Sequence, residues 1–280
     1  MIETRKLNIV LKTLEPFRIG GIEDVTSGRD NPIARIGGKL VIPGTSLKGA
    51  LRAEIENYLI MKYWKNNKWL EEMRAFQPCI PSSKKLLTPG EKNLQEIGKY
   101  RKFACHYPCF EDPCGEENKS EDNEEDKSED TKDDQKINEK EMHTICPVCY
   151  FLGAMKLIGF VRVPFLYSTV RYEKLYSSRL DRLTGNVVKK TNRPYQLVPK
   201  DTEFSGEMEI IIENRKLGWI LGQPRPLPNT QGDKWLEGNN KTQDELIKEF
   251  IIDRLQAITM LGGYKSKGFG QVKITVSEKK

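Results

Sequence analysis

The residues best suited to chemistry in this sequence are its sulfur ligands. Cys146 and Cys149 form a CxxC within the run CPVCYFLG. Cys105, His106, Cys109 and Cys114 crowd together upstream, and His143 stands three residues before Cys146. Two thiolates on a tight knuckle plus a distant His/Cys pair can complete the closed tetrahedral set of a structural zinc site. Cys146 and Cys149 are the firm ligands. His106 and Cys109 are the favoured partners, with Cys105, Cys114 and His143 as alternatives, and Cys79 is expected to stay unpaired. A redox CxxC would need a βαβ setting that this segment lacks. Both histidines of the chain lie beside the cysteines, so acid–base catalysis of the histidine type has no spare residue.

A second chemically suggestive run is GGYKSKGFG, near the C-terminus. Gly262, Gly263, Gly268 and Gly270 permit positive φ and close backbone approach, Lys265 and Lys267 add charge, and Phe269 offers a stacking face. Amides in such a loop can cradle a phosphate. A flexible hairpin before an edge strand explains the same residues equally well, and the GK[ST] of a P-loop is missing.

Charge narrows the choice of partner. The net value of +6 conceals an asymmetry, because residues 116–141 hold thirteen acidic residues against five lysines, a balance of −8. The rest of the chain therefore carries +14, the footprint of a protein that holds a polyanion, or simply a lysine-rich soluble surface. The acidic tract has almost no apolar residues to offset its ordering entropy and is expected to be disordered. No apolar run approaches the roughly 20 residues of a membrane helix, and the N-terminus lacks a signal-peptide core. A cytoplasmic protein with no membrane partner is expected, and in a reducing compartment cysteines favour metal over disulfides.

Certain elements must position these residues. Leu7, Ile9 and Leu11 alternate with polar residues, which predicts a strand, and a short extended piece is expected over Lys39–Ile42. Thr45 or Ser46 is the expected N-cap of a helix whose buried stripe is Leu47, Leu51, Ile55 and Leu59. Residues 159–170 and 204–212 read as strands, the latter facing Phe204, Met208, Ile210 and Ile212 inward. Residues 222–242, rich in Gly, Pro and Asn, read as a loop. A late helix aligns Leu246, Phe250, Leu255 and Ile258, and Val272, Ile274 and Val276 mark a final strand. This order predicts an α+β, ferredoxin-like (RRM-like) sandwich in one elaborated domain, 1–280.

Several of these blocks, in this order, resemble the RAMP superfamily, the repeat-associated proteins of CRISPR systems. GGYKSKGFG resembles its glycine-rich loop, and IPGTSLKGALR (42–52) its strand-to-helix signature. LDRLTGNVV (180–188) and LVPKDTEF (197–204) are similar to the backbone subunit of type III effector complexes, and CPVCYFLG resembles the zinc knuckle of such subunits. The resemblance spans about residues 7–276, while residues 63–100 match nothing in it.

It implies a RAMP fold with a zinc-knuckle insertion at 105–149 and a thumb-like segment at 171–200. The implied subunit polymerises along a CRISPR guide RNA, holds target RNA against it, and assembles with further copies of itself and other effector subunits. Arg18, Ser46, Lys48, Arg52, Arg179, Arg182, Lys265, Lys267 and Phe269 are the expected RNA contacts. Target-cleaving members use an aspartate in the loop before the IPG motif, and Asp30 holds the matching place, with Asp24 a rival. Such a carboxylate, with Mg or Mn, could promote attack of a ribose 2′-hydroxyl on the adjacent phosphate. A non-cleaving backbone subunit or a stand-alone RNA-processing endonuclease are the alternatives.

Overall fold

The computed structural model describes residues 2–21, 32–82, 86–105, 144–227, 232–238 and 240–278. In chain order its first half holds β1 (Ile2–Thr13), β2 (Arg35–Ile36), β3 (Lys39–Ile42), α1 (Gly44–Tyr63), β4 (Trp64–Lys65), β5 (Lys68–Trp69) and α2 (Pro89–Glu96). There follow α3 (Pro147–Leu152), β6 (Val161–Arg162), β7 (Leu166–Ser168), β8 (Glu173–Ser177), β9 (Arg193–Leu197), β10 (Glu203–Asn214) and β11 (Trp219–Ile220). The chain ends in α4 (Gln243–Ile247), a π-helical turn (Lys248–Ile252), α5 (Asp253–Ala257) and β12 (Val272–Glu278).

The chain gathers into two compact units. Met1–Glu3, Glu56–Val161 and Ile211–Gln243 make the first; Thr4–Ile55, Arg162–Ile210 and Asp244–Lys280 make the second. Helix α1 and strand β10 each give residues to both, which the order of elements alone does not reveal. No helix among the described residues is long and apolar enough to cross a membrane.

The second unit is built on a large antiparallel sheet with the order β12-β1-β10-β7-β3-β2. Period-two alternation makes β1: Leu7, Ile9 and Leu11 are fully buried. The register sets Leu11 opposite Ile274 and Thr13 opposite Val272, so β1 and β12 line one face together. On β10, Phe204, Met208 and Ile210 are buried. Position 206 shares that face by alternation and is glycine, since a Cβ there would lie 2.6 Å from the Phe165 carbonyl oxygen. Leu47, Leu51 and Ile55 of α1 and Leu246, Phe250 and Leu255 near the C-terminus complete this core. Each such Leu or Ile contributes about 1.5–3 kcal/mol on burial.

Three local details depart from the sequence reading. The extended run 159–170 is two short strands, β6 and β7, separated by Val163, Pro164 and Phe165, because proline has no N–H for a ladder. Helix α1 begins at Gly44, so Thr45 and Ser46 lie in its first turn and the Pro43 carbonyl accepts from Ser46 and Leu47 instead. Only glycine fits that start, since a Cβ would meet the Val163 carbonyl oxygen at 2.8 Å. Ile212 is not in the buried set of β10; its neighbour Ile211 is.

The first unit has an aromatic core around Tyr150, which packs on Phe160 (centroids 4.6 Å apart) and Trp235 (5.2 Å). All six residues of α3 are buried. The 222–242 stretch is not a plain loop, because Trp235 and Leu236 are buried on a short 3-10 turn. Beside them the Arg225 guanidinium grips the Asp233 carboxylate with both side chains fully inaccessible. Those two nitrogen–oxygen bonds measure 2.7 and 2.8 Å. Strands β4 and β5 close a tight hairpin through Asn66 and Asn67, both left-handed, the geometry asparagine favours in a two-residue turn.

Candidate functional site

In the first unit, four cysteines converge. The sulfurs of Cys79, Cys105, Cys146 and Cys149 all lie within 4.8 Å of one another, and all four residues are buried. Cys146 caps α3 and Cys149 lies on it, so the CxxC turns both sulfurs to one point. Cys79 stands beside Arg101 in a parallel bridge, which brings in Cys79 and, four residues after Arg101, Cys105. The Cys79 and Cys149 sulfurs are 3.4 Å apart.

The expectation that Cys79 stays unpaired is thus corrected: it belongs to the cluster. Its sequence gave little warning, because it sits 26 residues before Cys105 with no neighbouring cysteine. Cys146 and Cys149 are in the cluster, and Cys105, an alternative ligand, joins them. His106, Cys109, Cys114 and His143 lie outside the described residues, as does the acidic tract 116–141.

The donor set suits a tetrahedral metal ion: four soft sulfurs, shielded from water, with a cation nearby to offset their charge. That cation is Arg101, 8% exposed, whose Nη1 is 4.0 Å from the Cys105 sulfur. Burial alone would lower its pKa, but the four sulfurs outweigh burial and raise it. Burial likewise pushes the Cys146 thiol up, yet hydrogen bonds from the other three sulfurs and the charge of Arg101 pull it well below its ordinary value. Cys79 and Cys149 shift the other way, their thiols pushed well above the ordinary value by hydrogen bonds with neighbouring sulfurs and by burial, so the anionic form that metals bind is favoured at Cys146.

A different site occupies the second unit. The GGYKSKGFG loop lies against the chain at Arg18: the Gly263 N–H donates to the Arg18 carbonyl and the Gly270 N–H to that of Pro16. Gly262 has φ +87°, and a Cβ on it would lie 2.3 Å from the Arg18 oxygen. Gly270 has φ +90°, with the Leu261 oxygen at 2.3 Å from a Cβ. Tyr264 is left-handed too, and Lys265, Ser266 and Lys267 form an exposed turn.

Between this loop and α1 runs a groove of about 640 Å³. Ser46, Gly49 and Ala50 on α1 and Gly262, Gly263 and Lys265 on the loop are among its lining, and Glu54 is its acidic member. The first turn of α1 has no acidic residue, so the positive end of the helix dipole is not cancelled there. Lys48 and Arg52 are half-buried on the same helix.

Two expected RNA contacts have other surroundings. Arg18 is 8% exposed, donates to the Gln196 and Pro32 carbonyls, and lies 5.3 Å from the Tyr264 ring centre. It braces the loop from beneath. Phe269 is 7% exposed and packs against Tyr195 and Tyr264, so its face is covered. Half-buried Tyr264, with Lys267 4.7 Å above its ring, is the aromatic nearest the surface. The motif pattern marked Phe269 as the stacking face, because spacing does not tell which aromatic the glycines turn inward.

Strands β8 and β9 form a separate two-stranded hairpin. Every residue of β8 is exposed, and Arg179, Arg182, Lys189 and Lys190 are exposed on the loop that joins it to β9. Leu183, also on that loop, is 98% exposed, and Leu180 and Val187 bridge one another at 59% and 58%. Asp30 and Asp24 lie outside the described residues.

No curated protein matches this chain. A family model does, over residues 10–273. That match takes in the CxxC, the start of α1 and the glycine loop together, and by it the chain belongs to the RAMP superfamily.

Proposed function

We propose that this protein is a CRISPR RNA-binding backbone subunit of a type III interference complex, with a ferredoxin-like RAMP fold elaborated by a zinc knuckle and a thumb. The observation that carries the RNA-binding part is the groove that joins the first turns of α1 to the glycine loop. Ser46 near the start of α1, the small residues Gly49, Gly262 and Gly263, and Lys265 line one channel, which suits ribose-phosphate backbone better than base edges. Recognition of shape rather than sequence is what a guide-directed complex requires. Guide RNA, target RNA, further copies of the chain and other effector subunits are the partners.

The β8–β9 hairpin supports a thumb. Its loop joins fully exposed Leu183 to Arg179, Arg182, Lys189 and Lys190, apolar surface for a base step and cations for the flanking phosphates. Zinc on Cys79, Cys105, Cys146 and Cys149 would have a structural role, since four protein sulfurs leave no open position.

Target cleavage is assigned to Asp30 with Mg or Mn. The ribose 2′-oxygen would attack the adjacent phosphorus as its proton leaves, and the 5′-oxygen departs with a proton, leaving a cyclic phosphate. An Asp30→Asn variant in the assembled complex tests this. Cutting should be lost with guide and target binding intact. Unchanged cutting would make the chain a non-cleaving backbone. Cleavage of repeat RNA by the isolated chain would instead make it a stand-alone endonuclease.

A further inference from the structure

We propose that Arg101 is a positioning residue of the metal centre: its buried guanidinium fastens the chain segments that carry the four sulfurs and serves as counter-cation to the metal–thiolate group. This rests on the reading that the four cysteines hold a divalent metal.

The bonding of Arg101 is unusually complete. Nε donates to the Gln77 carbonyl at 2.7 Å and Nη2 to the Ala75 carbonyl at 2.8 Å. Nη1 donates to both the carbonyl and the hydroxyl of Thr144, each at 2.9 Å, and is the nitrogen facing Cys105. The backbone N–H of Arg101 bonds the Pro78 carbonyl at 2.9 Å. Each acceptor sits just upstream of a ligand: Ala75, Gln77 and Pro78 precede Cys79, and Thr144 precedes Cys146. One side chain therefore sets the spacing between segments that meet nowhere else in sequence.

Charge supplies the second argument. Among the described residues the acceptors of this guanidinium are carbonyls, a hydroxyl and a sulfur, and none is a carboxylate. A buried cation without a counter-charge is strongly unfavourable, and the Arg225–Asp233 pair shows how the same unit treats its other buried guanidinium. Four thiolates around a divalent ion carry a net charge of −2, which gives Arg101 its counter-charge. Neutral thiols would not.

Neither the 3-10 turn Glu71–Phe76 nor α2 buries a residue. Ile80, Leu87 and the contact of Phe76 with Trp235 tie this stretch to the core, and Arg101, Cys79 and Cys105 add the polar and sulfur anchors.

The test uses full-length zinc-loaded protein, wild type against Arg101→Met, Arg101→Lys and, as a control, Trp69→Phe. The control loses the indole bonds to the Gly98 and Lys99 carbonyls in the same segment but leaves the clamp alone. Zinc affinity is read by chelator competition, and the geometry by the visible spectrum of the cobalt-substituted protein. Arg101→Met should bind zinc about 10–100-fold more weakly, the loss typical of outer-shell partners. Arg101→Lys should fall between, and Trp69→Phe should match wild type. The cobalt spectrum of Arg101→Met, at saturating metal, should still show tetrahedral thiolate coordination. Equal affinity in wild type and Arg101→Met overturns the assignment, as does an equal loss in Trp69→Phe. A wild type that binds no zinc overturns the metal reading beneath it. Should Arg101→Met fail to fold, the lysine variant decides on the same criteria.

Discussion

Four alanine substitutions in the glycine loop should give a graded series, because the four glycines meet different obstacles. A Cβ on Gly263 would be 3.9 Å from its nearest neighbour, the Arg18 oxygen, an ordinary contact. Gly268 has φ +82° but nothing within 4 Å, so Gly268→Ala meets strain without collision. Gly262 and Gly270 combine positive φ with a backbone oxygen 2.3 Å from the new carbon. Left-handed strain costs about 1–2 kcal/mol, and forced overpacking adds about 1–3 kcal/mol. Gly263→Ala is thus expected near zero, or slightly stabilising through the unfolded chain. Gly268→Ala should lose about 1–2 kcal/mol, and Gly262→Ala and Gly270→Ala about 2–5 kcal/mol. At roughly 2–4 °C per kcal/mol the last two should melt on the order of 5–15 °C lower. Thermal melts of the purified chain measure the ranking, and RNA affinity should fall in the same order as the loop wall distorts. If Gly263→Ala proves as damaging as Gly262→Ala, or all four fall within about 0.5 kcal/mol, the loop is not held as described.

Other perturbations probe separate parts of the molecule. Cys79→Ser should abolish stoichiometric zinc in purified protein, whereas His106→Ala and Cys109→Ala should retain it; metal analysis gives the answer directly, and the opposite pattern would restore the ligand set favoured by sequence spacing. Asp233→Asn leaves Arg225 buried without its counter-charge and should cost about 3–5 kcal/mol in urea unfolding, while the paired change Arg225→Met with Asp233→Leu should cost clearly less. In the β8–β9 loop, the Thr184 and Leu183 amides and the Thr184 hydroxyl hold the Asp181 carboxyl below its ordinary 3.8. A depressed folded pKa means that this ordering is present above the ordinary carboxylate range and disappears as pH falls through the folded value. Protection factors at Leu183 and Thr184, corrected for the intrinsic pH dependence of exchange, should therefore be flat from neutral pH down to about 4 and fall only below it; a loss centred near pH 6 would contradict it.

Much of the sheet unit is legible in the sequence, because its signals are local. The period-two run through Leu7, Ile9 and Leu11, the i+4 stripe of α1 and the Lys39–Ile42 strand each follow from neighbouring residues. The cysteine unit is less legible, because its key pairings are long-range. Nothing near Cys79 announces the CxxC some 70 residues on, and nothing near Arg225 announces that a Gly- and Pro-rich stretch will fold back on Asp233. In the candidate RNA site, Arg18 and Phe269 are among the expected contacts, yet both are buried against the glycine loop. Which aromatic of a glycine-rich loop faces outward depends on the signs of its φ angles, and sequence leaves those open.

RNA held in the groove between α1 and the glycine loop is the property on which the proposed function rests. The decisive measurement is the affinity of the purified chain for single-stranded RNA across a salt series, with Lys265→Ala and Lys267→Ala beside wild type. The logarithm of affinity should fall linearly with that of salt, by about 0.7 per phosphate contacted, and each substitution should flatten the slope by about that amount. Affinity that is absent, or that ignores both salt and the two lysines, would contradict the central claim.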